Sequence, residues 1–336
     1  MRQKGGFLKQ KGMPGKKQGR KRQSGHDAGC MFAGYCDGWL KVKALSIKPS
    51  SLVKYERDME NHIKPFFGGR LPGDITTRDV EEFTQMLLEE QHLAPGTVRG
   101  ILVVLDSILA YVEKRTGFQQ QRPEVLYPRA NRKSVRVLDK GEEERLMQFL
   151  VKKMDLCRLG VYMAMRTGIR IGELCALRWC DISFETCTIF IHYTAQRVKS
   201  ADADACTKTR LILGPPKSDS SDRAIPLMPD LEALCSRFCP EDPKIFLLTG
   251  TKQCMDPRKL QRRLKKYTDE CGLRGIHFHT LRHTFATRCV ESGFDVKTLS
   301  EILGHSDIGI TMNRYVHPDM DSKRANMRRL ETIVNI

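Results

Sequence analysis

Between His279 and Tyr315 the chain gathers a guanidinium, several imidazoles and a phenol. His279-Thr280-Leu281-Arg282-His283-Thr284-Phe285 is followed by Leu303-Gly304-His305, and ten residues after that histidine stands Tyr315. Upstream, Thr167-Gly168-Ile169-Arg170-Ile171-Gly172-Glu173-Leu174 sets a second arginine in an otherwise apolar helical pattern. These groups suit attack on a phosphodiester by a tyrosine without a metal. The oxygens of a phosphodiester are already negative and gain charge in the transition state, so fixed cations must meet them. Arginine serves best, being permanently charged and able to bind two oxygens at once. Two arginines on separate segments can clamp both non-bridging oxygens.

Each residue also has an ordinary structural reading. Arg170 lies among Met163, Ile169, Ile171, Leu174 and Leu177, where a charge is costly unless it has a function or a partner. A buried ion pair is the competing explanation for either arginine. Glu173, three residues on and on the same helix face, can orient Arg170. His279 and Arg282 stand at i and i+3, with Thr280 expected as the helix cap between them, near an N-terminus that favours anions. Gly304 before His305 is a natural C-cap, and Ser306 is expected to cap a helix over 307–314 that delivers Tyr315. An isolated tyrosine is ordinarily core; the company of these groups argues instead for a nucleophile. A phosphotyrosine has nearly the energy of the bond it replaces, so cleavage is reversible without ATP. No cofactor is expected. No carboxylate cluster sits among the motifs, so no metal is expected either and a chelator should leave activity intact.

The patterns H-x-L-R-H-T-F-A-T, L-G-H-S-D and T-G-x-R-x-x-E-L at these positions resemble those of the tyrosine recombinases (phage integrases), over roughly residues 32–320. The resemblance implies catalytic roles for Arg170, His279, Arg282, His305 and Tyr315, with Glu173 supporting the site. It implies a 3′-phosphotyrosyl link and a free 5′-hydroxyl. It also implies a hairpin lysine, inserted in the minor groove, as general acid for the leaving 5′-oxygen. Lys217, within Pro215-Pro216-Lys217-Ser218-Asp219-Ser220-Ser221-Asp222-Arg223, takes that role, with Lys208 as competitor; the 199–208 loop looks like an insertion between strands. The gap from His305 to Tyr315 is one residue longer than in Xer-type members and fits integrases of phages and conjugative transposons. Implied partners are double-stranded DNA attachment sites, three further copies in a homotetramer on DNA, and an accessory excision or bending factor.

The elements that must position these groups read as mainly α with a small antiparallel β-sheet. Residues 1–30 read as a basic arm with nine Lys and Arg against Asp27, expected to be disordered and to gain phosphate contacts, with a solvated tail of no specific role as the alternative. Residues 31–118 read as a helical core-DNA-binding domain. Its pattern starts with Leu52, Tyr55, Met59 and Ile63, which Pro65 is expected to end. Thr77 is expected to cap the next helix, and Thr97 to begin the strongest. Residues 119–136, aperiodic and with two prolines, read as a linker. The catalytic domain spans 137–320, with a helix over 141–153 and strands over 186–195, 211–213 and 223–227. The tail, 321–336, has spaced apolar residues that by the resemblance dock on a neighbouring protomer.

The 336 residues hold 57 Lys and Arg against 40 Asp and Glu, a net charge of +17 that implies a polyanionic partner. Candidate DNA contacts are Lys54, Arg99, Arg258, Arg262 and Arg263, each alone also readable as a solvated charge. Arg258, Arg262 and Lys266 form an i, i+4, i+8 stripe suited to a major groove. The 12 scattered cysteines form no C-x-x-C pair, and Cys235 and Cys239 lack partners for a zinc set. With no signal-peptide region and no run of eighteen apolar residues, the expectation is a cytoplasmic protein with reduced thiols and no membrane partner. The leading reading is a site-specific DNA recombinase serving integration or excision of a mobile element. The alternatives are type IB topoisomerase-like cleavage and rejoining, a catalytically silent DNA-binding regulator and, least well supported, a metal nuclease.

Overall fold

The computed structural model describes residues 30–116, 122–129, 135–199, 209–215 and 219–315, with Met320, Lys323, Arg324, Met327 and Arg328 beyond them. The basic arm, Lys208, Lys217 and most of the tail lie outside the described residues. The chain divides into two compact units, Met1–Asn131 and Arg132–Ile336.

The first unit is helical. Helix α1 (Phe32–Ala44) precedes α2 (Pro49–Asp58), which runs on through a π-helical stretch, Met59–Ile63, into α3 (Lys64–Phe67). Pro65 therefore does not end the helix as its type suggests. Lys64 N reaches back five residues to Met59 O, and this wider turn carries the chain past the missing proline N–H. Helix α4 (Thr77–Gln85) is capped one residue earlier than expected, by Thr76 in a reciprocal capping box with Asp79. Helix α5 (Pro95–Thr116) starts at Pro95, two residues before the expected Thr97, because proline fits the first helical turn. It is long and apolar enough to cross a membrane by length and composition. Its buried face, from Val98 to Val112, nevertheless packs with Phe32, Trp39, Met59, Phe67 and Phe83 in the core of this unit. Residues 122–129, expected as linker, lie against the same unit: Arg122 bonds Asp106, Glu124 N donates to Thr77 Oγ1 at 3.1 Å, and Val125 packs on the core.

The second unit begins with α6 (Lys140–Lys152), capped by Asp139 in a box with Glu142. Helix α7 (Leu156–Thr167) is buried along most of its length and ends at Gly168, whose φ of 63° forms a left-handed cap. Helix α8 (Ile171–Ala176) follows directly. The expected single sheet is instead two. Strands β1 (Ile182–Ser183), β2 (Thr188–Ile191) and β5 (Arg223–Pro226) form one antiparallel sheet, in the order β1-β2-β5; β3 (Thr194–Lys199) and β4 (Thr209–Gly214) form a separate ladder. The expected strand over 186–195 breaks at His192 and Tyr193, which are exposed and outside either ladder. Tyr193 is 50% exposed where strict alternation would turn it inward after Ile189 and Ile191. The helices α9 (Pro229–Phe238), α10 (Pro257–Glu270), α11 (Phe278–Glu291), α12 (Val296–Leu303) and α13 (Ile308–Tyr315) complete the unit. A main core joins α6–α11 with the strands, and a smaller cluster of Phe285, Ala286, Cys289, Leu299, Leu303 and Tyr315 joins α11, α12 and α13. The described cysteines are free; Cys235 is buried as expected of a packing residue, whereas Cys239 is exposed.

Candidate active site

Four short segments meet at the C-terminal end of α12. The last carbonyls of a helix have no partner within it. Here they are taken by the two arginines singled out above. Arg282 Nη2 donates to Leu303 O at 2.6 Å, and Arg170 Nη2 donates to Gly304 O at 2.7 Å. These are consecutive carbonyls, so the two guanidinium groups are held beside one another by residues far apart in sequence. Arg282 is 2% exposed, and its Nη1 donates to Gly168 O at 2.7 Å. Arg170 is more open, its side chain 35% exposed, and its Nη1 donates to Glu173 Oε1 at 2.8 Å.

Glu173 is almost wholly buried and has a second cation that sequence reading passed over. Arg223 Nη2 donates to Glu173 Oε2 at 2.9 Å, and its Nε donates to Ile302 O at 2.6 Å. Burial alone would raise the Glu173 carboxyl, but Arg223 and then Arg170 outweigh it and hold its pKa below the usual range. A signal for Arg223 existed: it shares a face of β5 with the buried Ile225, two residues on.

Helix α11 is capped by His277, whose Nδ1 accepts from Thr280 N at 3.2 Å. The expected cap, Thr280, lies instead in the first turn and is fully buried. The cap of α13 also differs from expectation: Asp307 Oδ1, not Ser306, accepts from Gly309 N at 2.9 Å. His305, half-buried after the left-handed Gly304, shares a hydrogen bond of 2.8 Å between its Nδ1 and Thr311 Oγ1. His283, noted among the imidazoles of the sequence but given no role there, places its Nδ1 2.6 Å from the Tyr315 hydroxyl and stacks edge-on to His279 at 4.7 Å between ring centroids. Its signal was helical spacing, since i and i+4 bring His279 and His283 onto one face.

The electrostatics favour an anion. Burial, followed by Arg282, lowers His305 to about 3; burial, followed by His279 and Arg314, lowers His283 to about 4. His279 keeps an exposed edge, yet desolvation and then Arg282 also pull its pKa down. These imidazoles are therefore neutral at pH 7. Burial and then Arg170 bring Arg282 to about 9, so it stays charged there. Burial raises the Tyr315 phenol, against the opposing pull of Arg282, Arg314 and Arg170, so it holds its proton. The result is two fixed guanidinium groups, neutral imidazoles and a protonated phenol, a set able to receive a phosphodiester, stabilise growing negative charge and move protons.

The structure thus brings together Arg170, Glu173, His279, Arg282, His305 and Tyr315. Lys217 lies outside the described residues, in the 215–222 connection between β4 and β5, as does Lys208 between β3 and β4. On α10, Arg258, Arg262 and Arg263 are exposed opposite the buried Leu260, Leu264 and Tyr267. In the first unit Lys54 is engaged by Asp58 at 2.6 Å, and Arg99 stacks on Tyr127 at 5.3 Å.

A family model described as the phage integrase family matches residues 136–322, and one described as the phage integrase N-terminal SAM-like domain matches residues 31–88. The chain belongs to the phage integrase family. A tyrosine recombinase XerC-like protein of Caldanaerobacter subterraneus is 28% identical over 308 residues, covering 83% of this chain and 77% of that protein. The transposase from transposon Tn916 of Enterococcus faecalis is 28% identical over 213 residues, 58% of this chain and 51% of that one. Among solved structures, the Tn1549 transposon integrase in complex with transposon right end DNA superposes with a TM-score of 0.74 at 21% identity, covering 90% of this chain and 99% of that one. A lambda integrase tetramer bound to a Holliday junction gives 0.57 at 19% identity, over 86% and 79%. These structural likenesses establish the shared fold. Family membership makes the protein a tyrosine recombinase, an enzyme acting on DNA.

Proposed function

We propose that this integrase cuts and rejoins duplex DNA at defined attachment sites through a 3′-phosphotyrosine on Tyr315, to integrate or excise a mobile element. The observation that supports the chemistry most directly is the pairing of Arg170 and Arg282 on adjacent carbonyls of the turn that leads to Tyr315. A phosphate entering there meets two fixed cations, and the phenol lies within their field. Arg170 and Arg282 bind the non-bridging oxygens. His279 and His305, neutral at pH 7, complete the polar rim. The phenolic oxygen attacks phosphorus, the bond to the 5′-oxygen breaks, and Lys217 supplies that oxygen with a proton. Glu173 orients Arg170 without reacting.

The mobile-element role draws support from the likeness to the Tn916 transposase and, in fold, to the Tn1549 integrase. By analogy with the lambda integrase tetramer bound to a Holliday junction, four copies act together on such a junction; the accessory factor that bends DNA or directs excision is carried over from the family resemblance of the motifs alone. The enzyme works where the element's DNA is, in the cytoplasm.

DNA that becomes covalently attached to the protein, once sequenced, yields the site, and nicked suicide duplexes built on it trap the adduct. Tyr315→Phe should form no adduct while binding DNA within about threefold of wild type, since only the hydroxyl is lost. Persistent adduct in that variant would remove Tyr315 as the nucleophile. Exchange between two labelled duplexes, as against mere relaxation of a supercoiled circle, separates recombination from topoisomerase-like swivelling.

A further inference from the structure

We infer that Arg223 is a positioning residue for the reaction: it ties α8 and β5 to the last turn of α12 and so sets the spacing of the two guanidinium groups that receive the phosphate. The inference rests on the reading of Arg170 and Arg282 as the phosphate clamp and adds what holds that clamp at its spacing.

Three consecutive carbonyls end α12, and each receives a different arginine. Ile302 O accepts from Arg223 Nε at 2.6 Å, Leu303 O from Arg282 Nη2 at 2.6 Å, and Gly304 O from Arg170 Nη2 at 2.7 Å. The first differs from the other two in what remains of it. Arg223 Nη2 donates to Glu173 Oε2 at 2.9 Å and Nη1 to Ser221 O at 3.1 Å, so each of its three nitrogens already serves the protein. Its side chain is 5% exposed. Glu173 in turn receives Arg170 Nη1 on Oε1, at 2.8 Å. The hydrogen bonds therefore close a circuit, from Ile302 through Arg223, Glu173 and Arg170 back to Gly304, two residues along the same turn. Against burial, which would raise it, Arg223 and then Arg170 hold the Glu173 carboxyl low, so the link is a shared anion. Packing tightens the circuit further. A Cβ built on Gly304 would lie 3.0 Å from both Cδ and Nη1 of Arg223, so the arginine runs against the bare backbone of the residue whose carbonyl holds Arg170.

Charge growing on two non-bridging oxygens needs two cations at one separation. Arg282 is held by Gly168 O and Leu303 O; Arg170 depends on Gly304 O and Glu173, and Arg223 touches both the carboxylate and the turn that carry it. Without that fork the carboxylate and the α12 turn shift independently. A displacement on the order of 1 Å costs up to about 100-fold in rate. Lysine cannot replace the fork, because one nitrogen on a flexible stem does not donate in three fixed directions.

Arg223→Lys tests this, since it keeps the charge beside Glu173 and loses the directions. Single-turnover adduct formation on the nicked duplex is measured on the DNA-bound fraction, so that loss of folded protein does not enter. The variant should bind DNA within about threefold of wild type and react about 30-fold or more slowly. Arg223→Gln should be at least as slow. Two further readouts separate positioning from a general structural defect. Combined with Arg170→Lys, Arg223→Lys should add less than about threefold, because both act through one guanidinium. On a duplex with a methylphosphonate at the scissile position, the isomer whose methyl replaces the oxygen bound by Arg170 should reduce the Arg223→Lys defect to within about threefold, since that contact is no longer used. A 5′-bridging sulfur should not reduce it, because it relieves only the leaving group. An Arg223→Lys rate within about threefold of wild type on the ordinary duplex would overturn the inference. So would a full additive loss in the double variant, or an equal defect on the diester and both methylphosphonate isomers. Any of these, with Arg170→Lys itself slow and Tyr315→Phe forming no adduct, would sink this inference and leave the proposed function standing. Wild-type rates in both Arg170→Lys and Arg282→Lys would instead remove the clamp and this inference with it.

Discussion

Glu173 sits between two guanidinium groups, and its charge holds more than one of them. It receives Arg170 Nη1 at 2.8 Å and Arg223 Nη2 at 2.9 Å, while Arg223 also reaches the α12 carbonyl of Ile302. Replacing it with glutamine keeps the shape and removes the charge that compensates Arg223, whose side chain is 5% exposed. Leaving a buried charge without its partner costs about 3 kcal/mol or more. Glu173→Gln should therefore lower stability in urea by that order at pH 7 and slow cleavage by loosening Arg170. The pH dependence has a definite sign. The folded carboxyl is held below its unfolded value, so its contribution is present above about pH 4.3 and is lost as pH falls through the lower folded pKa. The gap in urea midpoint between wild type and variant should be constant from pH 8 to about 5 and close only under stronger acid. A gap that closes between pH 7 and 5 would show that the carboxyl is not held low.

At the scale of elements, the turn between α7 and α8 fixes where Arg170 points. Gly168 has φ 63°, and a Cβ built there would lie 2.6 Å from Phe285 Cδ1 and 3.0 Å from Leu303 Cδ2. Gly168→Ala should thus destabilise by about 2–4 kcal/mol, from the left-handed backbone together with overpacking against α11 and α12. Adduct formation should fall further than stability alone explains, because the clash pushes Arg170 away from α12. A variant with wild-type urea midpoint and wild-type rate would show that the turn does not set the site. This arrangement also accounts for what the sequence revealed. Arg170, Arg282, His305 and Tyr315 were singled out by their types and by the resemblance of their motifs, with Gly168 and Gly304 marking the helix ends next to Arg170 and His305. Arg223 was not, because its role depends on which helix end it touches, and spacing along the chain does not report that; for His283, spacing reported the shared face with His279 but not the contact with Tyr315. The caps moved for a similar reason: His277 competes with Thr280, and Asp307 with Ser306, through local geometry. The single expected sheet became two because Tyr193 faces outward between β2 and β3, interrupting an alternation that looked continuous.

For the whole molecule, the telling quantity is where the charge of +17 resides. Residues 1–28 hold nine Lys and Arg against Asp27, close to half of that excess, in front of a folded unit whose first helix starts at Phe32. Within the first unit several cations are already committed, Lys54 to Asp58, Arg70 to Asp79 and Lys64 to Asp37 and Glu60. On the expectation that the arm gains phosphate contacts, its charge and the exposed charge on α10 would add to what the first unit supplies. Each phosphate neutralised steepens the fall of log affinity with log salt by about 0.9. Deleting residues 1–28 should weaken DNA binding at least ~10-fold at 50 mM salt, less at 200 mM, and flatten the slope by several such steps. Arg258→Ala and Arg262→Ala should each flatten it by only about one step, which calibrates the deletion within the same protein. If the arm contributes phosphate contacts alone, the rate of adduct formation on saturating DNA should not change. Parallel salt plots with equal affinity would mean that the arm touches no phosphate. A changed rate at saturation would mean that it acts on the catalytic step and not only on binding.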